Sequence, residues 1–163
     1  MAFPEKTRQL RTFPLDSSSI RLPGSEIAGV TFKDGSLRVR FVRAFIIKTM
    51  TGSSEKTLWW QSGDLVLEGA ELLQALPDGF VDPEPTESPE TPFVCEGGDI
   101  DENVYTYRDM IPIPLESRGH CACDLALRGT SGRIRAQAET VRLDMHETPH
   151  YIEHIRSDDD ELV

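Results

Sequence analysis

The stretch SLRVRFVRAFIIKT, Ser36–Thr49, decides the fold. Leu37, Val39 and Phe41 alternate with Arg38 and Arg40, so the apolar period is two. In a strand, successive side chains point to opposite faces, so this alternation gives one apolar and one wet side. From Phe41 to Ile47 apolar residues fall on both faces, as they do in a strand covered on both sides or broken by a bulge. Just upstream, Asp34-Gly35 supplies two residues that tolerate positive φ, the chemistry of a two-residue hairpin turn. Ile27, Val30 and Phe32 precede that turn and form the other arm.

The pattern repeats outward. Leu58, Trp59 and Trp60 lead into DLVLEGAELL. Cys121, Cys123, Leu125 and Leu127 share one face of HCACDLALRG. After the turn Gly129–Gly132, the return strand RIRAQAETVRLDM places Ile134, Ala136 and Ala138 inward, then Val141, Leu143 and Met145. The phase slips by one near Thr140, which predicts a bulge there. Pro112 and Pro114, two apart, have their missing donors on one side, which suits a sheet edge. A short last strand holds Tyr151 and Ile152. Helical signal is confined to a short option near 70–76 and a turn near 5–10. The expected fold is all-β: a single-domain antiparallel β-sandwich or barrel of about seven or eight strands, spanning residues 1–163.

Charge is distributed unevenly over the 163 residues, whose net charge is −11. Residues 1–60 hold ten Lys/Arg and five Asp/Glu, whereas residues 78–109 hold ten acids and one base, Arg108. Five of the eleven prolines fall between Pro77 and Pro92. Proline removes donors and like charges extend a chain, so about 77–103 reads as one long acidic loop. The tail, 157–163, is a second acidic end. The overall acidity disfavours nucleic acid and anionic membranes as partners. There is no apolar run long enough to span a bilayer, and MAFPEKTRQLRTF lacks the apolar core of a signal peptide. An odd cysteine count of three points the same way, to a cytoplasmic chain with reduced thiols.

Candidate chemistry is sparse. His146, His150 and His154 recur every four residues, but Pro149 opposes a helix there. In an extended chain they would return to one face ~13 Å apart, too far for one ion. They read as surface histidines on an edge strand. Cys121 and Cys123 read as core packing, because cysteine behaves as a small hydrophobe. Asp99, Asp101 and Asn103 resemble alternate calcium ligands, but the glycine and closing glutamate of such a loop are missing. Nucleophile and phosphate-loop motifs are absent. No metal or cofactor is expected, no catalytic residue stands out, and the chain leans away from being an enzyme.

Two surfaces remain. The acidic loop, with Glu84, Glu87, Glu90, Asp99, Asp101 and Glu102, would meet a basic protein partner in a non-catalytic interaction module. Adjacent Trp59 and Trp60 face opposite sides of a strand, one toward the core and one exposed or covered by a loop. With Tyr105 and Tyr107, they would line a small-ligand pocket in the alternative reading, a ligand-binding barrel or sandwich. A metal-dependent enzyme using the His and Cys sets ranks below both. Oligomeric state is left open by the sequence.

Overall fold

The computed structural model describes residues 17–49, 55–77, 92–129 and 132–155. The ten strands there are β1 (Ser17–Lys33), β2 (Ser36–Thr49), β3 (Lys56–Glu68), β4 (Glu71–Leu72), β5 (Phe93–Glu102), β6 (Tyr105–Arg108), β7 (Met110–Ile113), β8 (Glu116–Leu127), β9 (Arg133–Met145) and β10 (His150–Ile155). Strands β3, β2, β1, β5, β8 and β9 pair in that order, and β9 returns to β3. The sheet is therefore a closed antiparallel barrel, and closure removes the edges that a sandwich would leave.

Alternation fills the barrel with side chains. Leu37, Leu67 and Val141 lie opposite one another across β2, β3 and β9, and Val39, Leu65 and Leu143 form the next row. The third row runs Phe41, Gly63, Met145. A Cβ on Gly63 would sit 2.7 Å from the Met145 sulfur, so glycine makes room for the large residues on either side. Cys121, Cys123, Leu125 and Leu127 enter the same core from β8. The expected slip on β9 is present, between Ala138 and Thr140. The β1–β2 turn is as read: Asp34 has φ 53° and Gly35 φ 75°.

Three strands outlast the barrel. Ser17–Arg21 of β1, Phe45–Thr49 of β2 and Lys56–Trp60 of β3 continue as a sheet flanked by β7 and β10. Ile111, Ile20, Ile46, Trp59 and Tyr151 form one cross-strand row, and Met110, Arg21, Phe45, Trp60 and His150 form the neighbouring row on the other face. The first face continues the barrel interior, since Ile20, Ala44, Ile46 and Ile111 belong to the main core. The second continues the barrel's outer wall.

Barrel and extension meet along one line of irregularities. Register breaks between Arg21 and Gly29 on β1 and between Phe41 and Ala44 on β2. Between β9 and β10 the chain bulges out at residues 146–149, where Glu147 takes φ 57°. Polar side chains repair the interrupted ladder. The buried Ser25 hydroxyl donates to the Arg21 carbonyl at 2.6 Å and accepts from the Phe45 N–H at 3.0 Å. The Gln61 amide donates to the carbonyls of His146 at 3.0 Å and Glu147 at 2.9 Å. Buried or bent backbone without such partners costs free energy comparable to a lost hydrogen bond.

Several expectations need correction. The acidic stretch is not loop throughout: Phe93–Glu102 is strand, paired with β1, β6 and β8. Ile100 and Cys95 anchor it in the core, which outweighs the cost of its charges. Residues 78–91 of that stretch, with Glu84, Glu87 and Glu90, lie outside the described residues, as do the tail and the turn near 5–10. No helix forms over 70–76, where Glu71–Leu72 instead pairs with β9. No helix among the described residues is long and apolar enough to cross a membrane.

Candidate functional site

The two tryptophans are each clamped between strands. On one face, the Lys48 ammonium lies 4.3 Å from the Trp59 ring, and Tyr151 meets the same ring edge-on at 5.3 Å. On the other face, the Arg43 guanidinium lies 4.9 Å from Trp60, and His150 stacks on it at 4.2 Å. Each tryptophan thus takes a cation from β2 and a ring from β10. Cation–π and ring contacts of this kind favour desolvated, fixed rings. The Trp59 N–H is also satisfied, donating to the Thr57 hydroxyl at 2.8 Å. Both tryptophan rings are thus engaged by neighbouring side chains. Tyr105 and Tyr107 sit on β6, which pairs with β5 and not with the tryptophan-bearing β3. The four aromatics are not brought into one pocket, and the barrel interior that such a pocket would need is occupied by side chains.

Trp60 nevertheless borders a cleft. It opens on the outer wall where barrel and extension meet, encloses about 430 Å³, and is lined in part by Glu26, Arg40, Arg43, Trp60, His146 and Glu147. Beside it stands an ion cluster. Asp64 is buried on the outer face, 8% exposed by side chain, with Arg38 at 2.5 Å and the His146 imidazole at 3.4 Å. Arg142 reaches Asp144 at 3.1 Å and Glu68 at 3.3 Å. Arg38 and Arg142 flank Val66 in register, and their stems cover this outward-facing but buried valine. Asp64 Oδ1 has no hydrogen-bond partner among the described residues. A strand reading could not find this aspartate, because its position is outward and nominally wet.

The acidic candidates among the described residues, Asp99, Asp101 and Glu102, are engaged in internal bonds. Asp99 pairs with Arg108 at 3.2 Å, and Asp101 accepts from Thr106 at 2.7 Å. Glu102 accepts from the Tyr107 hydroxyl at 2.6 Å and from the Ser117 hydroxyl. The bond to Glu102, with burial, pushes the Tyr107 phenol up to about 12. These are cross-strand pairs that stiffen the β5–β6 hairpin. Its tip is fixed as well. The Asn103 N–H donates to the His120 carbonyl at 2.7 Å, its side-chain oxygen accepts from the His120 N–H at 3.1 Å, and its amide donates to the Arg118 carbonyl at 3.2 Å. The next residues, Val104 and Tyr105, are 88% and 62% exposed. Sequence reading missed this knuckle because it placed residue 103 at the end of a loop.

The histidines do not converge. The bulge between Tyr151 and Glu153 turns His150 and His154 to opposite faces, so their spacing of four does not bring them together. His150 stacks on Trp60, while His154 lies 2.6 Å from Glu55. All three cysteines are buried and unbridged. Burial pushes the Cys95 thiol up to about 11 and Cys123 to about 12, and raises Cys121. Thiols of this kind are poor nucleophiles and metal ligands. Among the described residues, no three His, Cys, Asp or Glu side chains gather as metal ligands. Comparison with family models, curated proteins and solved structures finds no match to this chain.

Proposed function

We propose that the protein is a non-catalytic protein-interaction module that works in the cytoplasm and meets a basic partner through the acidic β5–β6 region. The observation that carries this reading is the tip of the hairpin. A valine and a tyrosine stand out in solvent on a turn that three hydrogen bonds to β8 hold still. An exposed apolar pair on a mobile turn would be unremarkable. On a fixed turn, little ordering entropy remains to be lost when it enters a partner's pocket, and aromatic anchors dominate interface energetics. Residues 92–109 carry five acids and one arginine, so the surroundings of the tip favour encounter with a basic surface. Three buried, unbridged thiols accord with a reducing compartment.

A photo-crosslinking side chain placed at position 104 tests the reading in lysate of the source cells. The expected result is a discrete adduct that weakens at high salt and is lost in Tyr105→Ala. A control crosslinker at Leu73, also exposed, gives no such band. Adducts of equal yield at both positions, or none at position 104, would overturn the proposal.

A further inference from the structure

A second surface, on a different wall, points to a partner of opposite charge. Arg38, Arg108, Arg133, Arg135 and Arg142 each have a carboxylate within ion-pair distance. Arg40 and Arg43 line the cleft at the barrel–extension junction, and neither has such a partner among the described residues. Arg43 lies opposite Glu26 in register, yet its guanidinium rests on Trp60 instead. A guanidinium already held against a ring has less side-chain freedom to lose when a carboxylate arrives. Ser62 and His146 add polar groups to the same cleft.

We infer that this cleft is a docking site for a short acidic peptide segment of a partner protein, with carboxylates received by Arg40 and Arg43. The alternative polyanion, single-stranded nucleic acid, is recognised chiefly by bases stacking on free aromatic faces. Here the Trp60 ring is already engaged by Arg43 and His150. Glu26 and Glu147 also line the cleft and oppose a continuous run of negative charge, as does the chain's net charge of −11. These features select a segment with one or two acids over a long polyanion. The site is separate from the Val104–Tyr105 knuckle, so either can fail without the other.

Fluorescence anisotropy of the full chain with a labelled short peptide of alternating glutamate and glycine tests the inference. Arg40→Gln and Arg43→Gln together are expected to weaken binding about tenfold or more, the size expected for lost charge-assisted hydrogen bonds. Arg135→Gln on another wall and Val104→Asp at the knuckle leave it unchanged. Affinity falls as salt is raised to about 0.5 M, because the contacts are partly exposed. Thermal melts confirm that each variant is folded. Equal binding by Arg40→Gln/Arg43→Gln and the unaltered chain would overturn the inference. So would tighter binding of an oligo-thymidine probe, or peptide binding that appears only after residues 79–90 are replaced by a Gly/Ser linker, which would make the chain itself the occupant.

Discussion

His150 lies nearly flat on Trp60, with ring centroids 4.2 Å apart and planes 14° from parallel. The contact joins β10 to β3 at the first pair of their shared ladder. Beyond it, β10 is exposed along most of its length and is interrupted by a bulge between Tyr151 and Glu153, so the stack is a main side-chain contact holding its first residues. Trp60→Leu and His150→Ala are each expected to loosen β10, and a double-mutant cycle should return a coupling of about 0.5–1.5 kcal/mol. Hydrogen exchange gives the local reading: amides of residues 150–155 lose protection in either variant while those of β8 do not. Additive effects with unchanged exchange would show the stacking to be incidental.

Ser25 presents a different economy. It is fully buried at the break in β1, and its hydroxyl serves one donor and one acceptor left over by that break. Ser25→Ala removes both bonds and strands the Phe45 N–H and the Arg21 carbonyl. The expected loss is about 1–3 kcal/mol, read by urea denaturation, with Ser25→Thr intermediate if the extra methyl is accommodated. A neutral Ser25→Ala would mean that the backbone closes the gap unaided.

What the sequence disclosed, and what it hid, follows from the range of the interactions involved. The Asp34-Gly35 turn, the inward set Cys121, Cys123, Leu125, Leu127 and the slip near Thr140 are local signals, because side-chain alternation and positive φ are properties of a few consecutive residues. The all-β class followed from them. Closure into a barrel did not, since it depends on β3 meeting β9, whose partners Leu67 and Val141 are far apart in the chain. The β5 strand was hidden by composition. Its acids satisfy Arg108, Thr106, Tyr107 and Ser117, partners that only pairing reveals. The buried Asp64 and the Arg43–Trp60–His150 stack were illegible for the same reason: each needs three strands brought side by side.

Glycine tolerance should differ sharply between two positions. At Gly98 on β5, a Cβ would run into the Asp124 carbonyl and lie 2.9 Å from the Leu125 Cα, both backbone atoms of β8. Backbone cannot yield as a side-chain tip does, so Gly98→Ala must separate two barrel strands, at a cost of about 3 kcal/mol or more. At Gly35 nothing lies within 4 Å of the added Cβ, and only the positive φ of 75° is penalised. Gly35→Ala should therefore cost about 1 kcal/mol. Paired denaturation curves check the order, and a reversed order would contradict the β5–β8 register.

The thiols set the behaviour at alkaline pH. Burial holds Cys123 up to about 12 and Cys95 up to about 11, from an ordinary value of 9.0. The folded state thus keeps protons that the unfolded chain gives up first. By linkage, the stability from these groups is complete below pH 9 and is lost as pH climbs through the folded values. Tyr107, held up to about 12 mainly by its bond to Glu102, adds to the same decline from its ordinary value of 10.0. Denaturation midpoints should be flat toward neutral pH and fall steadily above about pH 9. Cys123→Ala should flatten that fall while lowering stability near neutrality, since it removes the titration along with some packing. At about pH 8, a water-soluble disulfide reagent should react with none of the three cysteines until denaturant is added. Rapid reaction of one thiol in the native protein would show that its strand opens on its own, and the obvious suspect is Cys121, which lies where β8 pairs with the end of β5.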